Sequence, residues 1–212
     1  MLIPFREIAG FCESLGIPIK GIVHIGAHEC EELKAYKECG IPEEKIAWIE
    51  AQKEKVEWAK NRGIMNIFNH CILDVEEERT FWKTTNGESS SVLEFGSHST
   101  HHAHVKVCGS ETVSTVTLKR FFEEHPEFQG FNMWNLDIQG VELRAMKSAG
   151  DFIKNVDIIY TEVNTEQVYQ GCDQLDDMEQ WLNQKGFAKA CENIYREYGW
   201  GDALFIRFSP PN

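Results

Sequence analysis

Residues 21–33, GIVHIGAHECEEL, leave the chain few folds to choose from. The apolar run Ile22, Val23 and Ile25 suits a strand buried on both faces of a parallel sheet. It breaks at Gly26-Ala27, two residues too small to block close approach to the backbone. The chain continues as HECEELKAYKEC, with Leu33, Tyr36 and Lys37 at helical spacing, which predicts a helix from about Glu29 to Cys39. Strand, small-residue turn and helix together make the opening unit of a nucleotide-binding βαβ fold. The plain alternative is a parallel-sheet turn that binds nothing.

The glycine spacing narrows the ligand. A dinucleotide site wants G-x-G-x-x-G, so that the backbone can close round a pyrophosphate. Counted from Gly26, the second and third glycines would fall at His28 and Glu31. Glu29, Glu31 and Glu32 would occupy the first helical turn, where carboxylates suit the helix dipole but repel a pyrophosphate. A phosphate-free, cationic ligand fits better. S-adenosylmethionine, with a sulfonium, an amino group and one carboxylate, is such a ligand.

With 212 residues and 42% hydrophobic content, the chain can build one α/β core, read as a single domain over 1–212. No run approaches a membrane span, and the opening MLIPFREIAGFCESLG reads as an amphipathic lead-in, 1–18, without the apolar core of a signal peptide. A net charge of −13 argues against nucleic acid and against an anionic membrane surface. The seven cysteines form no CxxC and read as reduced thiols, which places the protein in the cytoplasm.

Helices are predicted over 4–15, 53–61, 118–124, 141–148 and 173–185, the last capped by Asp173. Strands are predicted over 21–25, 45–50, 66–72, 80–83, 112–116, 131–137 and 156–161, with 187–191 and 203–208 as a closing antiparallel pair. Residues 76–79 read as a solvated turn. Residues 84–104, TTNGESSSVLEFGSHSTHHAH, lack periodicity, and such a stretch inside a compact domain reads as a functional loop. The alternation implies a parallel sheet covered on both faces.

Glu50, Asp137 and Glu162 each follow an apolar run directly, and Asp74 comes just after another. Carboxyl ends of strands line the ligand crevice of an open α/β sheet, so the four acids should converge beside the Gly26 turn. Glu50, 24 residues after Gly26, matches the acid that holds ribose hydroxyls. Asp74 would sit near the adenine edge. Asp137 and Glu162 lie where the reacting end of a cofactor would point, and one could take a proton from a substrate hydroxyl. Asp137 is favoured, because Gln139, Gly140 and Glu142 follow at once; capping of the next helix is its structural alternative.

His98, His101, His102 and His104 put half of the eight histidines into seven residues. Their spacing matches no zinc pattern, so no metal is assigned there, and His98 is read as a substrate-facing base or donor. Asp137 and Glu162 could instead hold a divalent ion through oxygen. Trp48, Trp58, Trp82 and Trp134 read as core, whereas Tyr169, Tyr195, Tyr198 and Trp200 fall in late loops that could stack on a sugar.

Five segments in this order, VHIGAHECEE, AWIEAQ, SSSVLEFGSH, LDIQGVELRAMKSAG and YTEVNTEQVYQG, resemble the FkbM family of S-adenosylmethionine-dependent methyltransferases over roughly residues 20–190. The resemblance implies a Rossmann-like, class I methyltransferase fold, with a mostly parallel seven-stranded sheet, helices on both faces and a C-terminal antiparallel hairpin. It also implies O-methylation, often of a sugar hydroxyl, with S-adenosylhomocysteine as product. The family pattern at the first strand is an acid, then x-G-A-N-x-G; here His24 replaces the acid, His28 the Asn and Cys30 the last Gly. By this resemblance Gly26, Ala27 and His28 would meet the methionine part, Glu50 the ribose and Asp74 the adenine side, with His24 and Ala51 also among the cofactor-binding residues. Ser90 and Ser91 would lie near the cofactor, and Asp137, Gln139 and Glu162 would line the acceptor site.

The expected function is thus methyl transfer to a sugar or glycan hydroxyl. The alternatives are a methyltransferase-like glycan-binding or scaffold module, methylation of a non-sugar small molecule and, more distantly, a NAD-linked oxidoreductase.

Overall fold

A computed structural model of the chain describes residues 1–208. In chain order the strands are β1 (Ile22–Ile25), β2 (Ile46–Glu50), β3 (Ile67–Asn69), β4 (Cys71–Ile72), β5 (Glu78–Thr84), β6 (Val107–Val116), β7 (Met133–Leu136), β8 (Ile158–Asn164), β9 (Phe187–Tyr195) and β10 (Trp200–Arg207). The helices are α1 (Phe5–Ser14), α2 (Leu33–Glu38), α3 (Lys53–Asn61), α4 (His98–His101), α5 (Leu118–Glu124), α6 (Glu142–Ser148) and α7 (Leu175–Gln184). None of the helices is long and apolar enough to cross a membrane.

Seven strands form one sheet in the order β3-β2-β1-β7-β8-β10-β9, in which only β10 runs antiparallel to its neighbours. This is the expected Rossmann-like α/β fold with a closing hairpin. Every residue of β1, β2, β7 and β8 is buried, which is why these strands read as apolar runs rather than alternating patterns. Side-chain alternation splits them between two cores. Val23, Ile25, Ile49, Trp134 and Leu136 pack with Phe121, Leu143, Met146 and Met178 of α5, α6 and α7. Ile22, Trp48, Met133 and Tyr160 pack on the other face with Phe5, Ile8, Tyr36 and Val56 of α1, α2 and α3. Each large apolar side chain buried to this extent contributes about 1.5–3 kcal/mol.

Strand order reverses at β1, so a crevice opens where the ends of β1 and β7 diverge. The chain leaves β1 by a turn only glycine accommodates. Gly26 has φ +89, and a Cβ there would lie 1.8 Å from the Asp137 carbonyl oxygen. We expect Gly26→Ala to cost about 3–5 kcal/mol, the upper end for a single substitution, in denaturant unfolding. A loss below 1 kcal/mol would show that the turn relaxes freely.

Several expected boundaries move, each for a local reason. The helix after β1 begins at Leu33, not Glu29, because His28 (φ 43) and Cys30 (φ 57) adopt left-handed backbone that a helix does not contain. Cys30 thus takes up the conformation that glycine reaches freely. The strand expected over 66–72 breaks at His70, whose N–H donates to the Glu50 carbonyl (3.1 Å). β4 then leaves the main sheet to pair with β6 in a small sheet of order β4-β6-β5. Glu78 and Arg79, expected in a turn, begin β5. Glu162 lies inside β8 rather than after it. Asp173 does not cap α7; it accepts from the Arg144 backbone N–H (2.9 Å) and Nε (3.0 Å).

Candidate active site

Two connected clefts open at the carboxyl rim of the sheet. The first holds about 610 Å³ of free space between apolar walls that include Ile25, Ile49, Ile72, Phe81 and Ile138. Among its polar lining residues is Glu50, the last residue of β2, 5% exposed. One carboxylate oxygen of Glu50 accepts from His28 N–H (2.7 Å) and the other from Gln52 N–H (2.7 Å). Burial pushes its pKa up, against the pull of these two N–H groups and His28. Each oxygen keeps a lone pair for a further donor. Ala51 and Ser90 line the same cleft. Ser91 lies behind it, with Oγ donating to the Gln139 carbonyl (2.8 Å).

The second cleft, with about 1240 Å³ of free space, shares Gly26, His28, Glu88, Asp137 and Gln139 with the first. At its floor lies a joined set of side chains. Gln139, held at φ +60, donates from Nε2 to Asp137 Oδ1 (2.5 Å) and Glu162 Oε2 (2.7 Å). Tyr169 donates its hydroxyl to Gln139 Oε1. Desolvation of buried Glu162, and then the charges of Asp137 and Glu142, raise its pKa well above the usual carboxylate range. Two carboxyls this close favour sharing a proton over both ionising.

Glu142 secures the turn that carries these groups. Fully buried, it accepts from Ile138 N–H (2.9 Å) and Gly140 N–H (3.1 Å), and burial pushes its pKa up to about 8. A carboxyl whose folded pKa exceeds its unfolded value binds more protons when native over the interval between them. Stability should therefore fall as pH rises from about 4.5 to about 8 and then level off. Glu142→Gln, whose amide oxygen can still accept both N–H groups, should flatten that slope in urea melts across pH. An unchanged slope would place the titration elsewhere.

His24, buried in β1, sits under the second cleft in a polar chain. Asn135 Nδ2 donates to the Tyr36 hydroxyl (2.7 Å), which in turn bonds His24 Nδ1 (3.1 Å). Burial lowers the His24 pKa to about 4, so the ring is neutral; where Nδ1 accepts from the Tyr36 hydroxyl, Nε2 carries the proton. His98, 5% exposed, stacks on Phe95 at 4.1 Å between ring centroids and places Nε2 3.2 Å from Ser89 Oγ. Burial, followed by the charges of the neighbouring histidines, lowers its pKa to about 4.

The structure gathers His24, Gly26, Ala27, His28, Glu50, Ala51, Ser90, His98, Asp137, Gln139 and Glu162 around the two clefts. Asp74 is not among them. Asp74, which follows β4, is exposed in a groove beside Arg79 and Arg144 that meets the first cleft at Val92. The turn acids also differ from their expected placement. Glu29 turns away to Lys55 (2.5 Å) and Glu31 bonds His28 Nδ1 (2.6 Å). Tyr169, expected in a loop that stacks on a ligand, is 1% exposed and acts on Gln139 through its hydroxyl. Of the four core tryptophans, Trp48 and Trp134 are buried, while Trp58 and Trp82 are half-buried. Sequence reasoning missed Tyr36, Asn135 and Glu142; only the density of polar residues near 135–142 hinted at the last two. Among the described residues, the group whose candidate metal-ligand atoms all lie within 4.8 Å of one another is His28, Glu31 and Glu88.

A family model described as the Methyltransferase FkbM domain matches residues 23–189. No curated protein matches the chain. Among solved structures, the fold is similar to that of magnesium protoporphyrin IX methyltransferase from Synechocystis PCC 6803 with bound SAM. Identity there is 9%, TM-score 0.50, and coverage 95% of this chain and 77% of that one. It is also similar to the methyltransferase domain of bacterial CtHen1-C, with 9% identity, TM-score 0.51 and 96% of each chain covered. A third similar structure is an uncharacterized protein from Listeria monocytogenes serotype 4b, with 10% identity, TM-score 0.53, and 98% of this chain and 68% of that one covered.

Proposed function

Because the chain belongs to the FkbM methyltransferase domain family, we propose that it takes a methyl group from S-adenosylmethionine and places it on a hydroxyl oxygen of a sugar. The observation that carries the reading is the joining of Glu50 and the Asp137–Gln139–Glu162 set by one turn, at Gly26, at the rim of the sheet. We read the chain as one methyltransferase domain, with residues 1–18 as lead-in and 84–104 as an active-site loop.

The residues present fit this cofactor. The Gly26 turn leaves no room for a Cβ and so brings backbone to the crevice. Glu50 has one free lone pair per oxygen, which would accept from a pair of ribose hydroxyls. The first cleft offers apolar walls to a base and no Lys or Arg among its lining residues, in keeping with a ligand that carries no phosphate. His24 and His28 would hold the methionine part, with His24 donating where the family has an acid.

The bound cofactor supplies an electrophilic methyl on a sulfonium. Everything else falls to the chain. Gln139, fixed by Tyr169, holds Asp137 and Glu162 together through its Nε2. Glu162 keeps the proton of the pair, which leaves Asp137 to receive the acceptor's hydroxyl proton as that oxygen takes the methyl and the methyl–sulfur bond breaks. The walls align the oxygen, the term that dominates transfer between two bound partners. His98 serves as donor or acceptor toward the acceptor from its neutral ring. Incubating the protein with methyl-labelled donor and a panel of free and activated sugars tests this. Label on a sugar oxygen is the expected product; label on a non-sugar acceptor alone would overturn the sugar assignment.

A further inference from the structure

The charge of the second cleft says more about the acceptor. Six carboxylates line it, from Glu31, Glu32, Glu88, Asp137, Glu162 and Asp202, and no Lys or Arg does. Glu31 pairs with His28 and Glu32 with the Met1 amine at 3.7 Å, while Asp202 accepts from Tyr160 and Leu2 N–H, and Asp137 and Glu162 accept from Gln139. Among the described residues no ion pair reaches Glu88, Asp137 or Glu162. A donor with a sulfonium, an ammonium and one carboxylate brings a single net positive charge. Of the three, Glu162 is buried and holds a proton, whereas Glu88 and Asp137 are exposed in the cleft. One positive charge on the donor leaves one of those two unmatched, and a further positive group on the acceptor would meet it.

A second feature points to a ligand that makes hydrogen bonds. His98 is 5% exposed and lines this cleft, and its Nδ1 has no partner. Nε2 is bonded to Ser89 Oγ, so Nδ1 is left to accept or donate according to the ring's tautomer. Trp200 supplies a flat face in the same wall. Carboxylates, an unpartnered imidazole nitrogen and an aromatic ring together suit a cation that also carries hydroxyls.

We infer that the acceptor is a hydroxyl compound that carries an ammonium group, an amino sugar or amino polyol, in preference to neutral, carboxylated or phosphorylated ones. The inference rests on the methyl-transfer reading of this cleft and adds the charge of its acceptor. Glu88, at the mouth shared by both clefts, is the residue that selects for the charge without being part of the Asp137–Gln139–Glu162 set.

The test is calorimetric titration of the protein saturated with S-adenosylhomocysteine, using matched triplets on several sugar skeletons: amine, neutral hydroxyl and carboxylate, such as glucosamine, glucose and glucuronate. The amine member of at least one triplet should bind tenfold or more tighter than its neutral partner, and the carboxylate weakest. That preference should fall at least fivefold in Glu88→Gln and in high salt. Equal or tighter binding of the neutral or anionic members, no binding by any amine, or saturation of the cleft by Mg²⁺ or Mn²⁺ that the amine merely competes with would each overturn the inference. A methyl-transfer assay on the same triplets separates it from the reading beneath it. An amine that binds with the expected preference yet gains no methyl leaves the charge inference standing and removes the transfer reading. Equally efficient methylation of neutral and amine members does the reverse.

Discussion

Asp137→Asn is expected to lower kcat by about 10²- to 10⁴-fold, the range for loss of a positioned general base, while the cofactor dissociation constant stays within about threefold. The substitution is close in shape and keeps an oxygen for Gln139 Nε2, which already bridges to Glu162 (2.7 Å), so the floor of the cleft should remain assembled. What disappears is the group that receives the acceptor's proton. Steady-state kinetics beside cofactor titration separates the outcomes. A parallel loss of turnover and cofactor affinity would make Asp137 a structural residue of the turn, and unchanged turnover would hand the proton to another group.

Glu50→Gln is expected to do the opposite. Its carboxylate joins the two turns that follow β1 and β2 through His28 and Gln52 N–H groups, and its remaining lone pairs are the ones offered to ribose. Replacing one oxygen with an amide removes a charge-assisted acceptor and sets an N–H against a backbone N–H. Loss of such bonds costs about 1.5–3 kcal/mol, so cofactor binding should weaken about 10- to 100-fold while kcat at saturating donor changes less than about fivefold. An unchanged dissociation constant would refute the ribose assignment.

Much of the sheet was legible because its strands are buried on both faces and so write themselves as apolar runs ending in acids. The helices over Lys53–Asn61 and Leu118–Glu124 agree with the sequence reading residue for residue, since each lies between clear stop signals. Three features resisted. Left-handed backbone at His28 and Cys30 carries no residue-type signal, because neither is glycine, and the helix start moved with it. The departure of β4 to a second sheet depends on pairing with Thr115 and Val116, more than forty residues away, a contact that local pattern does not encode. Gln139 was found by its motif, but its hold on Glu162 and its support by Tyr169 span 23 and 30 residues and needed the fold. Glu162 read as following its strand because nothing in a doubly buried strand marks where pairing stops.

The most direct test of the whole account is a crystal structure with S-adenosylhomocysteine and an acceptor bound. The account predicts ribose hydroxyls within hydrogen-bond distance of Glu50, the product sulfur beside the Gly26 turn, and an acceptor oxygen between that sulfur and the Asp137 carboxylate. A product molecule seated elsewhere, or an acceptor oxygen held away from Asp137 and Glu162, would contradict it.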